Sequence, residues 1–402
     1  MQTTNTKVAT KPNPWRGLIA GGGIGGLEPA LALARIGADG RVFEKRRHPN
    51  EDGAGIQIGP NVTRILQLFG IADRIKPDVT TPKALQIYDG PTGEQVAQLP
   101  LGDWLAQRHG SPYWVAHRAD LHSALSDAVA AHPLIELQHG IEIEDTETYS
   151  DEVLAKSGRH VVGAGDLLIA ADGLQSSLRQ NRFGAHRPRY SGKSAARTVI
   201  RTDRDPKGIS RDSVVIWLAP EGHVVHYPVR AGRELAVVVI RKEAESDQSW
   251  ATAVPHEWAK NAVKDFAAPV RNLIETSDSW RKWSLFELPP LKAWVDGRVV
   301  LLGDAAHPVL PFLAQGAVLA LEDALTLARC LSDRDDVGAA LQTYQTARSR
   351  RAGCVQAASR RNGGIYHLAG RMRRARNVTL PFSPPTRLMA SYDWLYGWKP
   401  GI

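Results

Sequence analysis

The chain has 402 residues, 43% hydrophobic and 23% charged, enough to bury a sizeable core in one large domain or two interleaved lobes. Two cysteines, Cys330 and Cys354, cannot build a disulfide framework, and no Cys/His cluster has metal-ligand spacing, so neither a disulfide scaffold nor a metal site is expected. The formal charge of +8 would suit nucleic acid, but the basic residues are spread along the chain. Their one concentration, Arg348 to Arg376, lacks interleaved aromatics and reads as a solvated helix face.

Residues 1–14 are polar, without the apolar stretch of a signal peptide, and read as a disordered tail; no run approaches the ~20 apolar residues that span a bilayer. A cytoplasmic protein with no integral membrane segment is expected. Residues 15–20 (WRGLIA) then predict a strand, LEPALALARIGA a helix that Pro29 should kink, and RVFEK a second strand. The stretch 60–76 predicts one helix, ALQIYDG a strand, and 118–132 a helix with an acid in its first turn. LIELQHGIEIEDTETYS and RHVVGAGDLLIAADG predict strands, and 194–241 a β-rich region. RVVLLGD (298–304) is a return strand, followed by a long helix from about 315 and helical structure to about 376.

The cluster Gly21-Gly22-Gly23-Ile24-Gly25-Gly26 holds a G-x-G-x-x-G between strand and helix. Gly21 permits the tight turn, Gly23 the approach of a pyrophosphate, and Gly26 the packing of helix on strand, while the helix N-terminus offers free N–H groups to phosphate. Glu44 ends the next strand, where a carboxylate accepts hydrogen bonds from a ribose. This motif alone does not separate NAD from FAD.

Two later segments carry more. DLLIAADGLQSSLR (166–179) places Asp172-Gly173 after an apolar strand, and RVVLLGDAAHPVLPFLAQG (298–316) does the same with Gly303-Asp304. With GAGIQIGPN (53–61) and HRADL (117–121), the sequence from about 16 to about 398 resembles the group A flavoprotein monooxygenases, which include salicylate, 3-hydroxybenzoate and 6-hydroxynicotinate hydroxylases. The resemblance implies an α/β chain: a Rossmann-like FAD-binding fold of the p-hydroxybenzoate hydroxylase type, interleaved with a β-sheet substrate lobe and a helical C-terminal region. It implies FAD as resident cofactor, NADH or NADPH as transient cosubstrate, and hydroxylation of a small aromatic by O2 through a flavin C4a-hydroperoxide. It places Asp304 and Arg118 on the flavin chain, Asp172 where pyrophosphate and nicotinamide approach, and the backbone from Ala314 to Gly316 and Ala317 on the flavin edge. Gly25, Lys45, Gly55 and Ile56 join the cofactor set, and Pro308 fixes the loop beside the reactive face. His307 reads as a loop-packing residue rather than a proton carrier.

In HVVHYPV, strand alternation puts His223, Val225 and Tyr227 on one face and Val224 and His226 on the other. A histidine titrates near working pH and suits removal of a phenolic proton, and a tyrosine suits a hydrogen bond to a substrate oxygen. Similar proteins use a His and a Tyr at this spacing, so His223 and Tyr227 are the expected catalytic pair. Packing on the sheet is the plainer alternative. Phe312 stands where many relatives have Tyr, and Ala196-Arg197 where many have Trp-Arg. The expected division is an FAD-binding lobe from 15–75, 112–185 and 285–330, a substrate lobe from 76–111 and 186–284, and a helical region over 331–402, as monomer or homodimer. A nicotinamide-dependent dehydrogenase, or a flavin- or nucleic-acid-binding protein without turnover, stays open on the residues alone.

Overall fold

In a computed structural model of the chain, residues 15–48, 54–184, 186–204, 208–246 and 251–399 are described. The 1–14 tail and Gly53 lie outside them. Apolar runs rather than alternating ones mark the first sheet, because both of its faces are covered. Its order is Val295–Asp296, Val299–Leu301, Leu167–Ala170, Arg16–Ala20, Asp39–Glu44 and Ile135–His139, parallel except for the first pair. Helix Ile24–Arg35 packs against helix Gly316–Ser332, so the core of this sheet joins residues from both ends of the chain. A meander of Asp145–Thr148, Val153–Ser157 and His160–Gly165 accompanies it.

The second sheet has eight strands in the order Thr252–Val254, Trp280–Glu287, Arg189–Arg201, Glu234–Lys242, Gly222–Val229, Ser213–Ala219, Ala84–Asp89 and Gln95–Pro100. All pairings are antiparallel except Ser213–Ala219 with Ala84–Asp89. One face packs on helices His256–Ala262 and Ala268–Glu275 through Ala259, Val270, Leu273 and Ile274. The other faces the C-terminal segments, through Val355, Met389 and Tyr396. A two-stranded ribbon, Gly55–Ile58 with Trp114–His117, lies where the sheets meet.

Two expectations need correcting. The helix expected over 60–76 is two, Pro60–Leu68 and Ala72–Ile75, broken at Gly70, whose φ of 67° is left-handed. Pro29 lies inside a helix that runs from Ile24 to Arg35, where the buried packing of its neighbours offsets one lost backbone hydrogen bond. The basic stretch 348–376 is a solvated face only in part: Arg350, Arg360, Arg361, Arg371 and Arg374 are exposed, whereas four other arginines turn inward. Arg348, Arg351, Arg373 and Arg376 pair with Glu322, Asp323 and Asp89, all three fully buried. Sequence spacing cannot show this, since the carboxylates lie on other elements. Among the described residues no helix is long and apolar enough to cross a membrane.

Candidate active site

Parallel pairing brings the three Gly/Asp motifs side by side. The Ala171 N–H donates to the Ala20 carbonyl at 2.9 Å and the Leu302 N–H to the Ala170 carbonyl at 3.0 Å, so the turns after three adjacent strands open at one edge. This carboxyl edge of a parallel sheet is where such folds take ligands. Gly21 has φ 112°, and a Cβ there would overlap the Ala171 carbonyl; a Cβ on Gly26 would overlap the Gly21 carbonyl. Gly23 is exposed and a Cβ on it would meet nothing within 4 Å, which leaves an open cradle at the helix N-terminus. Gly25 packs against Ala320, 3.3 Å from a built Cβ. Glu44 ties the turn, accepting the Gly22 N–H at 2.6 Å and the Arg46 N–H at 2.9 Å. Lys45 is exposed, with its ammonium on Glu142 at 2.9 Å.

Carboxylates converge on the same cleft. Asp304, in the 3-10 turn Gly303–Ala305, is solvent-accessible yet walled by protein; burial raises its pKa, while His307 and Arg118 oppose. Arg118 begins helix Arg118–Ala130, its backbone fixed by an N–H bond to the Ala54 carbonyl at 2.9 Å. Burial lowers its pKa against the pull of Asp304 and Glu28. Asp172 accepts the Leu178 N–H at 3.3 Å through one oxygen, and its other oxygen is shielded from water with no partner. An open glycine cradle with an accessible carboxylate and arginine beside it fits an FAD. The fit rests on donors and acceptors left unused by the protein itself.

The segment 303–316 is held by a buried ionic network. Asp323 accepts the Gly303 N–H at 3.1 Å, lies 2.6 Å from His307 Nε2, and takes Arg348 Nε at 2.6 Å. Burial would raise its carboxyl, yet His307 and Arg348 hold it down at about 2. Arg348 and Arg351 also pair with Glu322, which accepts from Asn61 of the GAGIQIGPN segment at 2.8 Å. Arg179 staples the turns, donating to the Ala305 carbonyl at 2.9 Å and the Leu174 carbonyl at 2.7 Å. The segment ends with Ala314 at φ 52° and Gly316 opening the 17-residue helix, whose first N–H groups, Gly316 and Ala317, lack intrahelical partners. Pro308 is buried, its carbonyl taking Gln356 Nε2 at 3.0 Å.

Beside this segment lies a cavity of about 270 Å³ between the second sheet, residues Pro311–Ala314 and the C-terminal helices. Its walls are mostly apolar, among them Leu85, Leu99, Val225 and Phe312. Several of its polar groups are already committed: Tyr366 Oη and Asn362 Nδ2 donate to the Phe312 carbonyl, and Arg376 to the Ile365 and Tyr366 carbonyls. His223 lines the cavity, buried and with Nδ1 2.9 Å from His367 Nε2. Tyr113 Oη donates to Gln57 Oε1 at 2.6 Å in the same wall.

The expected alternation is observed: His223 and Val225 face the cavity, while Val224 joins the opposite core and His226 stacks on Trp217. Tyr227 shares the face of His223 but stands behind the lining, where Gly55 abuts it. Burial pushes its phenol up to about 12, opposed by Arg197 and Gln57. Ile56 is half-buried beside Gly55 on the ribbon. His307 is tied to Asp323, as a packing role requires, and His48 is exposed.

Residues that sequence reasoning passed over include Gln57, Tyr113, His367, Arg179, Asp323 and Glu28. Glu28 is completely buried with both carboxyl oxygens unpartnered, and burial followed by the nearby Asp323 charge raises its pKa well above the ordinary value. Gln57 and Arg179 lay inside motifs already singled out, and could have been found there. Nothing local marks His367.

A family model described as an FAD binding domain matches residues 16–359. The chain is 37% identical over 383 residues to 3-hydroxybenzoate 6-hydroxylase 1 of Aquipseudomonas alcaligenes, covering 94% of this chain and 97% of the relative. It is 33% identical over 385 residues to 3-hydroxybenzoate 6-hydroxylase of Klebsiella oxytoca, covering 96% and 97%. Klebsiella pneumoniae HpxO, solved with FAD and uric acid, superposes with a TM-score of 0.83 at 25% identity, covering 96% of this chain and 98% of that one.

Proposed function

The chain belongs to the FAD-binding aromatic hydroxylase family, and on that premise we propose that it uses NAD(P)H and O2 to hydroxylate a small phenolic carboxylate or hydroxypyridine. FAD, when bound, supplies the redox chemistry, taking hydride from the nicotinamide and activating O2. The observation that carries the reading is the cavity of about 270 Å³, which suits a single ring and is walled on one side by His223 and on another by Pro311–Ala314. That second wall leads directly into the helix N-terminus at Gly316.

In this reading Gly21, Gly23, Gly25 and Gly26 receive the pyrophosphate and Glu44, beside Lys45, the ribose. Asp304 and Arg118 hold the flavin chain, Asp172 shapes the turn where pyrophosphate and nicotinamide approach, and Gly55 and Ile56 border the ring. The free N–H groups of Gly316 and Ala317 stabilise negative charge at the flavin edge, and Pro308 fixes that loop. His223 takes the phenolic proton on Nε2, since its Nδ1 is engaged by His367. Tyr227 backs the wall formed by Gln57 and Tyr113, which orients a substrate oxygen. The lobe division set out above, a monomeric or homodimeric state and a cytoplasmic setting complete the proposal.

The test is the visible spectrum of the purified protein, followed by NADH and NADPH oxidation with salicylate, hydroxybenzoates and hydroxynicotinates, with product analysis. A yellow protein whose cosubstrate oxidation rises with one ring, and which forms its hydroxylated product, supports the proposal. A flavin-loaded protein that turns over none of these rings, while oxidising NADH unstimulated, overturns it.

A further inference from the structure

The cavity histidine has a second imidazole behind it. His223 Nδ1 and His367 Nε2 are 2.9 Å apart, and the rings lie 5.1 Å apart between centroids. His223 belongs to the sheet, whereas His367 follows the last turn of helix Val337–Tyr366, its N–H bonded to the Gly363 carbonyl. The helix end thus delivers one ring onto another across the fold.

We propose that His367 is a proton-relay residue, passing the proton that His223 removes from the substrate out of the cavity. This rests on the reading of His223 as the base. The pair balances as follows. Before transfer, His223 carries its proton on Nδ1 and donates it to His367 Nε2, and His367 carries its own on Nδ1. The substrate O–H breaks as His223 Nε2 gains that proton, the Nδ1 proton of His223 moves to His367 Nε2, and His367 Nδ1 releases a proton to water. No charge stays on either ring. The hydrogen bond then points the other way, and the reverse passage resets it when the product oxygen is protonated.

Three features of the site suit this. His223 Nε2 has no hydrogen-bond partner among the described residues and its ring lines the cavity, which leaves that nitrogen for a ligand. His367 is half-buried, between the cavity and the outside, and its Nδ1 has no protein hydrogen-bond partner, which leaves that nitrogen to give up its proton when the ring turns toward solvent. Both rings are neutral at working pH, as a donor–acceptor pair must be. Burial holds His223 well below its ordinary value, with His367 and Lys193 adding to the effect. Burial, then Lys193, Lys242 and Arg376 hold His367 at about 4 against Glu221. Those charges also keep a proton from lingering on His367. The other rings packed on His223, Phe312 and Tyr366, offer no competing path, since Tyr366 Oη is bonded to the Phe312 carbonyl.

The experiment is a pH jump on FAD-loaded protein holding 3-hydroxy-4-nitrobenzoate, whose coloured phenolate reports its protonation directly, without turnover. Wild type, His367→Gln and His223→Gln are compared after their flavin spectra and melting temperatures are matched. Relay through His367 predicts that His367→Gln slows exchange of the bound phenol by roughly tenfold or more, and that added imidazole restores it. A purely structural role would show no such rescue. Exchange in His367→Gln at the wild-type rate, with His223→Gln slow, overturns the relay and leaves His223 as base. Wild-type exchange in His223→Gln overturns the reading of His223 itself.

Discussion

Gly55 abuts Tyr227: a methyl group at position 55 would overlap Tyr227 Cε2 and come within 2.7 Å of the Ala236 methyl. The ribbon strand Gly55–Ile58 thereby rests on the sheet strand that carries His223. Gly55→Ala must push the ribbon or the ring aside, at a cost of ~1–3 kcal/mol for an overpacked contact. Thermal unfolding of the FAD-loaded variant should show a lowered Tm together with weaker ligand binding. An unchanged Tm and affinity would show that the contact is soft.

The Asp323–Arg348 pair sets up a second prediction. Replacing Arg348 by Met removes a cation shared by two fully buried carboxylates, leaving Glu322 with Arg351 and Asn61 and Asp323 with His307, and should cost about 3 kcal/mol in urea unfolding. The pH dependence follows from sign. Asp323 is held at about 2, below its ordinary value, so its contribution is complete above that ordinary value and fades as pH falls through about 2. Removing Arg348 should therefore move acid unfolding to higher pH. An acid transition at the wild-type position would refute that account.

Glu28 has the opposite sign. Its raised folded-state pKa means the native protein holds a proton that the unfolded chain has released, so stability falls as pH rises above the ordinary carboxyl value. The slope approaches ~1.4 kcal/mol per pH unit until the raised value is reached. Glu28→Gln mimics the protonated acid and should unfold at higher temperature than wild type in mildly alkaline buffer, with the difference vanishing in acid. A difference that is independent of pH would mean the carboxyl is not protonated in the fold.

Asp304 is an accessible carboxylate, and with the flavin-chain role proposed for it, its removal should cost ~1.5–3 kcal/mol of binding, roughly 10–150-fold. Asp304→Ala should emerge from gel filtration with a depleted ratio of flavin to protein absorbance and regain it on adding FAD. Full retention of the cofactor would remove Asp304 from the set that holds it.

The elements with continuous apolar runs or strict alternation were legible because each obeys a local periodicity. The strand–glycine–helix opening, the return strand Val299–Leu301 and the placement of His223 opposite His226 all follow from the spacing of neighbouring residues. The break at Gly70 was not, because a glycine inside an amphipathic pattern is compatible with either a continuous helix or a turn, and packing chooses. The basic C-terminal stretch was legible only in its exposed arginines, for a related reason. Its charge pattern resembles a surface, and the carboxylates that draw Arg348, Arg351, Arg373 and Arg376 inward are at least 25 residues away for Arg348 and 284 for Arg373.

By itself the sequence determined what is written in short windows: the glycine turn and its flanking elements, the strand-end aspartates, the alternation along HVVHYPV, and through their combination the family and its cofactor. Only the tertiary structure decided which of these meet. It set three strand ends side by side, placed Tyr227 behind the cavity wall rather than in it, tied His307 to Asp323, and brought His367 across 144 residues to His223. The physical reason is range. Backbone periodicity and turn chemistry act over a few residues, whereas the pairing of buried polar groups depends on which distant segments the burial of apolar surface forces together.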